Sequence, residues 1–190
     1  TLTCLSNPET SRNFLPTFDV FAHDCYPIGN RVGRSMLERV NSQMRISKKS
    51  IASMRPLWFI PQAFDWRWYY SKEVWADCDK PYLRMPTRDE IANMTWQGIA
   101  CGANGIIFYS YSPIRQHLKG KEFDNAWGDV CEVAFEIKKM EDVLLSDDVT
   151  VDYAKGCSSL PETLPVRFYR YGGKLWLLAV NARRKPVKSS

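Results

Sequence analysis

Apolar residues fall in short runs, separated by turn chemistry and by stretches in which they recur every third or fourth position. This is the rhythm of strand alternating with helix. Residues 1–5 (Thr-Leu-Thr-Cys-Leu) read as a strand, with Asn7-Pro8 as its exit, and residues 9–15 hold a short helix. Residues 18–23 are a second apolar run ending at Asp24, followed by Tyr26-Pro27-Ile28-Gly29-Asn30, which is loop chemistry. Across 34–54, Met36, Leu37, Val40, Met44, Ser47, Ile51 and Met54 keep helical spacing, and Pro56 stops the helix. Residues 57–60 (Leu-Trp-Phe-Ile) are a third strand, closed by Pro61-Gln62.

Residues 63–85 have no clean period and read as a large aromatic loop. Thr87 with Glu90 three positions on spells a capping box, so a helix starts there and runs to about Cys101. Its apolar arc holds Ile91, Met94, Thr95, Trp96 and Ile99, with Asn93 and Gln97 opposite. A fourth strand is expected over 106–111, then a polar loop, then a helix over 125–145. From Thr150 the pattern changes, and two β runs flank Gly172-Gly173, a hairpin signature. Strands that alternate with helices imply a parallel sheet with right-handed crossovers. Two architectures fit: part of a (β/α)8 barrel or an open doubly wound sheet. No Gly-rich phosphate loop follows any strand, which weakens a nucleotide-binding reading.

Composition narrows this little. The chain has 190 residues and a formal charge of +5, and is 45% hydrophobic, 25% charged and 13% aromatic, which excludes disorder, collagen and a disulfide-dense miniprotein. No apolar run approaches the roughly 20 residues of a membrane-spanning helix. Arg183-Arg184-Lys185 is a small basic cluster, but no basic stripe of the nucleic-acid-binding kind is present, so neither nucleic acid nor membrane is expected as a partner. Cys4, Cys25, Cys78, Cys101, Cys131 and Cys157 lack zinc-site spacing and read mostly as free thiols. Asn93-Met94-Thr95 is a sequon, which glycosylation could reach if the protein is secreted; the compartment stays open. The start at Thr1, without a charged leader, suggests a piece of a longer or processed protein.

In either architecture, ligands bind at the C-terminal ends of the strands. There the sequence supplies His23-Asp24-Cys25-Tyr26, then Gln62-Ala63-Phe64-Asp65-Trp66, then Tyr109-Ser110-Tyr111, and the long loop adds Arg67, Trp68, Tyr69, Tyr70 and Trp75. Rings beside carboxylates and amides suit sugars, whose C–H faces pack on aromatic surfaces while their hydroxyls bond to polar groups. Each residue also has a plainer role: loop packing for the rings, a loop-amide acceptor for Asp24, a satisfied buried amide for Gln62, a core position for His23, and an ion pair with Asp89 or Glu90 for Arg84.

Four blocks resemble β-galactosidase-like (β/α)8 glycoside hydrolases. These are Asp19-Val20-Phe21-Ala22-His23-Asp24-Cys25-Tyr26-Pro27-Ile28, Pro56-Leu57-Trp58-Phe59-Ile60-Pro61-Gln62-Ala63-Phe64, Arg84-Met85-Pro86-Thr87 with Met94-Thr95, and residues 102–111 (Gly-Ala-Asn-Gly-Ile-Ile-Phe-Tyr-Ser-Tyr). The resemblance implies barrel strands five to eight over residues 1–146 and the start of a β-sandwich over 147–190. It also implies hydrolysis of an O-glycosidic bond with no metal or organic cofactor. In such enzymes two carboxylates about 5 Å apart act as nucleophile and acid/base. Gln62 stands where many relatives carry the nucleophilic Glu, and the strand that usually supplies the acid/base is absent from the chain. The resemblance therefore leaves Asp24 as the candidate catalytic carboxylate, with Asp65 as a second candidate. Tyr26, Gln62, Arg84, Tyr109 and Tyr111 would line the sugar subsite and Trp66 or Trp68 would stack.

A half-barrel has two open sheet edges and an uncovered inner face, so a partner is expected: the rest of the barrel or another chain. The truncated hairpin module likewise needs a facing sheet. The alternative functions are a carbohydrate-binding scaffold that has lost catalysis and an open flavodoxin-like domain for a small polar ligand.

Overall fold

The structure is a computed structural model that describes residues 1–29, 36–70, 83–149 and 164–183. Asn30, Trp75, Cys78, Thr150, Cys157, Arg184 and Lys185, named above, and the start of the helix expected from residue 34 lie outside the described residues. Four strands, β1 (Leu2–Leu5), β2 (Val20–Cys25), β3 (Leu57–Pro61) and β4 (Gly105–Ile106), form one parallel sheet in chain order. The helices are α1 (Glu38–Ser50), α2 (Arg88–Ala100), α3 (Tyr111–His117), α4 (Gly120–Lys139) and α5 (Glu141–Leu144). A second, antiparallel sheet holds β5 (Asp147–Asp148), β6 (Val166–Tyr171) and β7 (Lys174–Ala179).

Strand register decides which residues meet the helices. His23 pairs with Phe59 and Phe59 with Ile106, and strand alternation puts Phe21, Cys25, Leu57 and Phe59 on one face. These side chains share a core with Val40 and Met44 of α1 and with Ile91 and Met94 of α2. The backbones come close at one point: a Cβ on Gly98 of α2 would lie 2.5 Å from the Phe59 ring. The other face carries Cys4, Ala22, Asp24, Trp58, Ile60 and Gly105, with the Trp58 indole lying across Gly105. Toward its edges this face exposes Leu2 and Ile107.

Several elements differ from their sequence reading. The stretch after β1 is a 3-10 helix, Pro8–Thr17, whose Pro8 and Pro16 remove amide donors that α-helical pairing would use. The helix α1 ends at Ser50, before Ala52 and Ser53 take positive φ (48° and 56°) and turn the chain into Pro56. The ladder on β3 continues irregularly past β4, with Ile107 N donating to Phe59 O and Tyr109 N to Pro61 O (both 3.1 Å). Tyr111, expected in that strand, instead opens α3, and α4 begins at Gly120 where a loop was expected. Thr87 and Glu90 do form the capping box of α2, and the thiols of Cys4, Cys25, Cys101 and Cys131 are free.

The side of α2 expected to face solvent does not. Gln97 is fully buried and ties α2 to α1, its Oε1 accepting from Asn41 N (3.2 Å) and its Nε2 donating to Leu37 O (3.0 Å). Asn93 of the sequon donates through Nδ2 to Asn181 O (3.0 Å), so the nitrogen a glycan would use is engaged by the segment after β7. α2 has neighbours on both flanks, which consumes the polar positions. The antiparallel sheet docks here too: Arg167 Nη1 donates to Ile99 O (3.2 Å) and Ala103 O (3.4 Å), carbonyls at the C-terminal end of α2. Gly172 and Gly173 take positive φ (59° and 73°) to close the β6–β7 hairpin.

Candidate functional site

Asp24 is the penultimate residue of β2, and alternation aims it to the face away from the helices, where it is half-buried. Its Oδ1 has no hydrogen-bond partner among the described residues. The Cys4 thiol of the neighbouring strand lies beside it and is pushed up to about 12, by burial first and then by the charge of Asp24 and a hydrogen bond to it. The next residue on that face, Tyr26, has its phenol pushed well above its ordinary range. Burial is again the main cause, followed by the charge of Asp24 and by Cys4, Tyr109 and Tyr69.

Above the carboxylate the strand ends carry a ring cluster. Tyr26 stacks on Tyr109 (5.6 Å between centroids, 25° between planes), which joins the ends of β2 and β4. Phe64 meets Tyr26 (5.0 Å), Trp66 (5.0 Å), Tyr69 (4.9 Å) and Tyr109 (5.7 Å), all nearly edge-on. Trp66 has Tyr70 stacked on it (5.6 Å, 13°), and its Nε1 lacks a partner among the described residues. Tyr69 is pushed up to about 12 by burial and by its hydrogen bond with Tyr109. Tyr69 and Tyr109 expose the most ring surface of this group.

Gln62 sits behind the rings, fully buried, with its amide spent on backbone. Oε1 accepts from Ile28 N (2.9 Å), while Nε2 donates to Ile28 O (2.9 Å) and Phe64 O (3.0 Å). It clamps the loop after β2 to the loop after β3, and those loops carry Tyr26 and Phe64. The plainer role of a satisfied buried amide fits it; direct contact with a ligand does not. Asp65 caps the 3-10 turn Trp66–Trp68 and is held by Arg67, through its N (2.8 Å), Nε (2.7 Å) and Nη2 (2.6 Å). Arg84 pairs with Glu90 through two short bonds (2.6 and 2.7 Å) that extend the capping box, and the pairing holds Glu90 below the usual carboxylate range.

The structure thus brings Asp24, Tyr26, Trp66 and Tyr109 to one mouth, with Gln62 as support. It separates three others. Trp68 stacks flat on His117 (5.0 Å, 3°) and Tyr111 packs against Phe123 and Trp127 (6.0 and 4.8 Å), both on the side of α3 and α4. Arg84 belongs to the start of α2. His23 is a core residue: its ring is fully buried, Nδ1 lies 3.0 Å from Leu5 O, and burial lowers its pKa. Sequence reasoning left Cys4 out of the site, and it put Phe64 and Tyr69 at the strand ends without a place in the sugar subsite. The alternation of β1 signals the facing of Cys4, whereas nothing local signals that Phe64 is the hub of the rings.

Among the described residues no three His, Cys, Asp or Glu side chains converge as a metal site, and no helix is long and apolar enough to cross a membrane. In comparisons with known proteins, no family model, no curated protein and no solved structure matches this chain.

Proposed function

We propose that this chain is the second half of a (β/α)8 barrel that acts on glycosides, with Asp24 as its catalytic carboxylate and the Tyr26, Tyr69 and Tyr109 rings as a sugar-facing wall. One observation carries the reading: a carboxylate with an oxygen that has no partner among the described residues stands beneath clustered rings at the C-terminal ends of consecutive parallel strands. The uninterrupted strand order, with helical packing on one face, supports a barrel segment over a doubly wound sheet, because double winding reverses the order and covers both faces. Hydrolysis through two carboxylates then takes its second group from outside the described residues of the mouth, since Asp65 is held by Arg67.

The test is turnover of a panel of aryl glycosides by the full-length protein. Asp24→Asn is expected to lower turnover by about 100-fold or more, and unchanged turnover removes Asp24 from the mechanism. A second reading, a sugar-binding scaffold without catalysis, is favoured by the amide at position 62, which neither attacks nor titrates. Sugar-dependent tryptophan fluorescence without hydrolysis by the full-length protein selects it.

A further inference from the structure

Three strand ends meet at one buried side chain, that of Gln62. Both N–H groups of its amide are spent on backbone, Nε2 donating to Ile28 O (2.9 Å) and Phe64 O (3.0 Å), while Oε1 accepts from Ile28 N (2.9 Å). The main chain here joins the segment after β4 as well: Gln62 pairs with Tyr109, and Ala63 N donates to Tyr109 O (2.6 Å). Ile28 follows closely on Tyr26 in the chain, as Phe64 does on Gln62. The rings of Tyr26, Phe64 and Tyr109 lie against one another at 5.0–5.7 Å between centroids. One amide thus stands at the root of all three rings of the wall.

The three bonds demand an amide. Turned over, the same group would set its N–H against Ile28 N and its oxygen against two carbonyls. A carboxylate has no proton to give and a carboxylic acid has one, so neither serves both Ile28 O and Phe64 O. Ile28 and Phe64 are themselves buried, and a buried carbonyl without a donor is costly enough that the loops would shift to find one. We infer that Gln62 is a positioning residue whose amide sets the geometry of the Tyr26–Phe64–Tyr109 wall, and that Gln62→Glu displaces the wall instead of supplying a nucleophile. The inference deepens the saccharide reading above and rests on it for the task of the wall, but not for how the wall is held.

The experiment compares the full-length protein with Gln62→Glu, which keeps the shape but not the donors, and with Gln62→Met, which keeps neither donor nor acceptor. Fluorine NMR of protein labelled with fluorotyrosine reads the rings, with the Tyr26 and Tyr109 signals assigned by Tyr26→Phe and Tyr109→Phe. A urea midpoint reads stability, and the panel of aryl glycosides reads turnover. Both variants are expected to shift the Tyr26 and Tyr109 signals, and Gln62→Glu to lower turnover by at least about tenfold, as misplacement near a site does. A lowered midpoint with unmoved ring signals means a role in stability alone and overturns the inference. Turnover by Gln62→Glu that equals or exceeds that of the native protein also overturns it. If the native protein turns over no glycoside, the hydrolytic reading falls and the ring signals alone decide the inference. If neither variant folds, hydrogen exchange in the native protein decides it: the Ile28 N–H is expected to be protected although it lies in a loop, and exchange as fast as in an unfolded chain overturns the clamp.

Discussion

The two faces of the parallel sheet use similar residues to opposite ends. On the helix side, Phe21, Phe59, Val40 and Met44 are fully enclosed, and Gly98 lets α2 come down onto Phe59. On the other side Ala22 and Ile60 are buried too, while Leu2, Ile107 and Tyr109 stay 38–45% exposed. A run such as Leu57-Trp58-Phe59-Ile60 is apolar on both faces, as expected of a strand covered twice, yet one layer of helices covers one of them. The lesson is that a strand's sequence specifies that both faces be sheltered, and among the described residues helices shelter one while the other is sheltered in part.

This contrast can be broken from the closed face first. Phe59→Ala removes the ring against which Gly98 packs and is expected to cost about 3–5 kcal/mol, read as a lowered urea midpoint at unchanged slope. If the cost stays under about 1 kcal/mol, the helix layer is not packed as described.

His23 offers a smaller, pH-dependent effect on the same face. Its folded-state pKa lies below the ordinary 6.5, so the unfolded chain takes up a proton that the folded chain resists. Stability is therefore full above that value and falls as pH drops from it toward the lowered folded pKa. Melting temperatures between pH 7.5 and 5 check this. The expected decline is steeper in the native chain than in His23→Gln, and parallel curves would show that other groups govern it.

The smallest effect belongs to the open face. Ile107→Ser is expected to change the stability of this chain by less than about 1 kcal/mol, because the side chain already meets water. In a larger assembly that covers the face, the same substitution should cost about 2–4 kcal/mol. Equal costs in both settings, measured by chemical denaturation, would mean that the face has no covering partner.

How much of this was legible in the sequence depends on the range of the interactions involved. The first three strand positions, the Thr87–Glu90 cap and the Gly-Gly hairpin follow from neighbours within a few residues, and they stand, whereas the fourth strand is shorter than expected. Asn93 and Gln97 read as solvent-facing because a helix wheel assigns one apolar side. Their partners, Asn181, Leu37 and Asn41, lie 88, 60 and 56 residues away in the chain. Gln62 is similar: its partner Ile28 is 34 residues away, and no local pattern tells an amide that clamps two loops from one that meets a ligand. At the mouth, Asp24 and Tyr26 were legible because strand alternation fixes their side. Trp68 and Tyr111 were not, because the 3-10 turn and the early start of α3 rotate them away.

Arg167 has a mechanical consequence. One guanidinium from the hairpin reaches two carbonyls at the tail of α2, an ion-pair partner in Asp148 and the ring of Tyr169. A pull on β6 is thereby passed through Arg167 to the helix that Gly98 seats on β3. That side chain is thus a shared fastening point between the hairpin and the helix layer behind the parallel sheet.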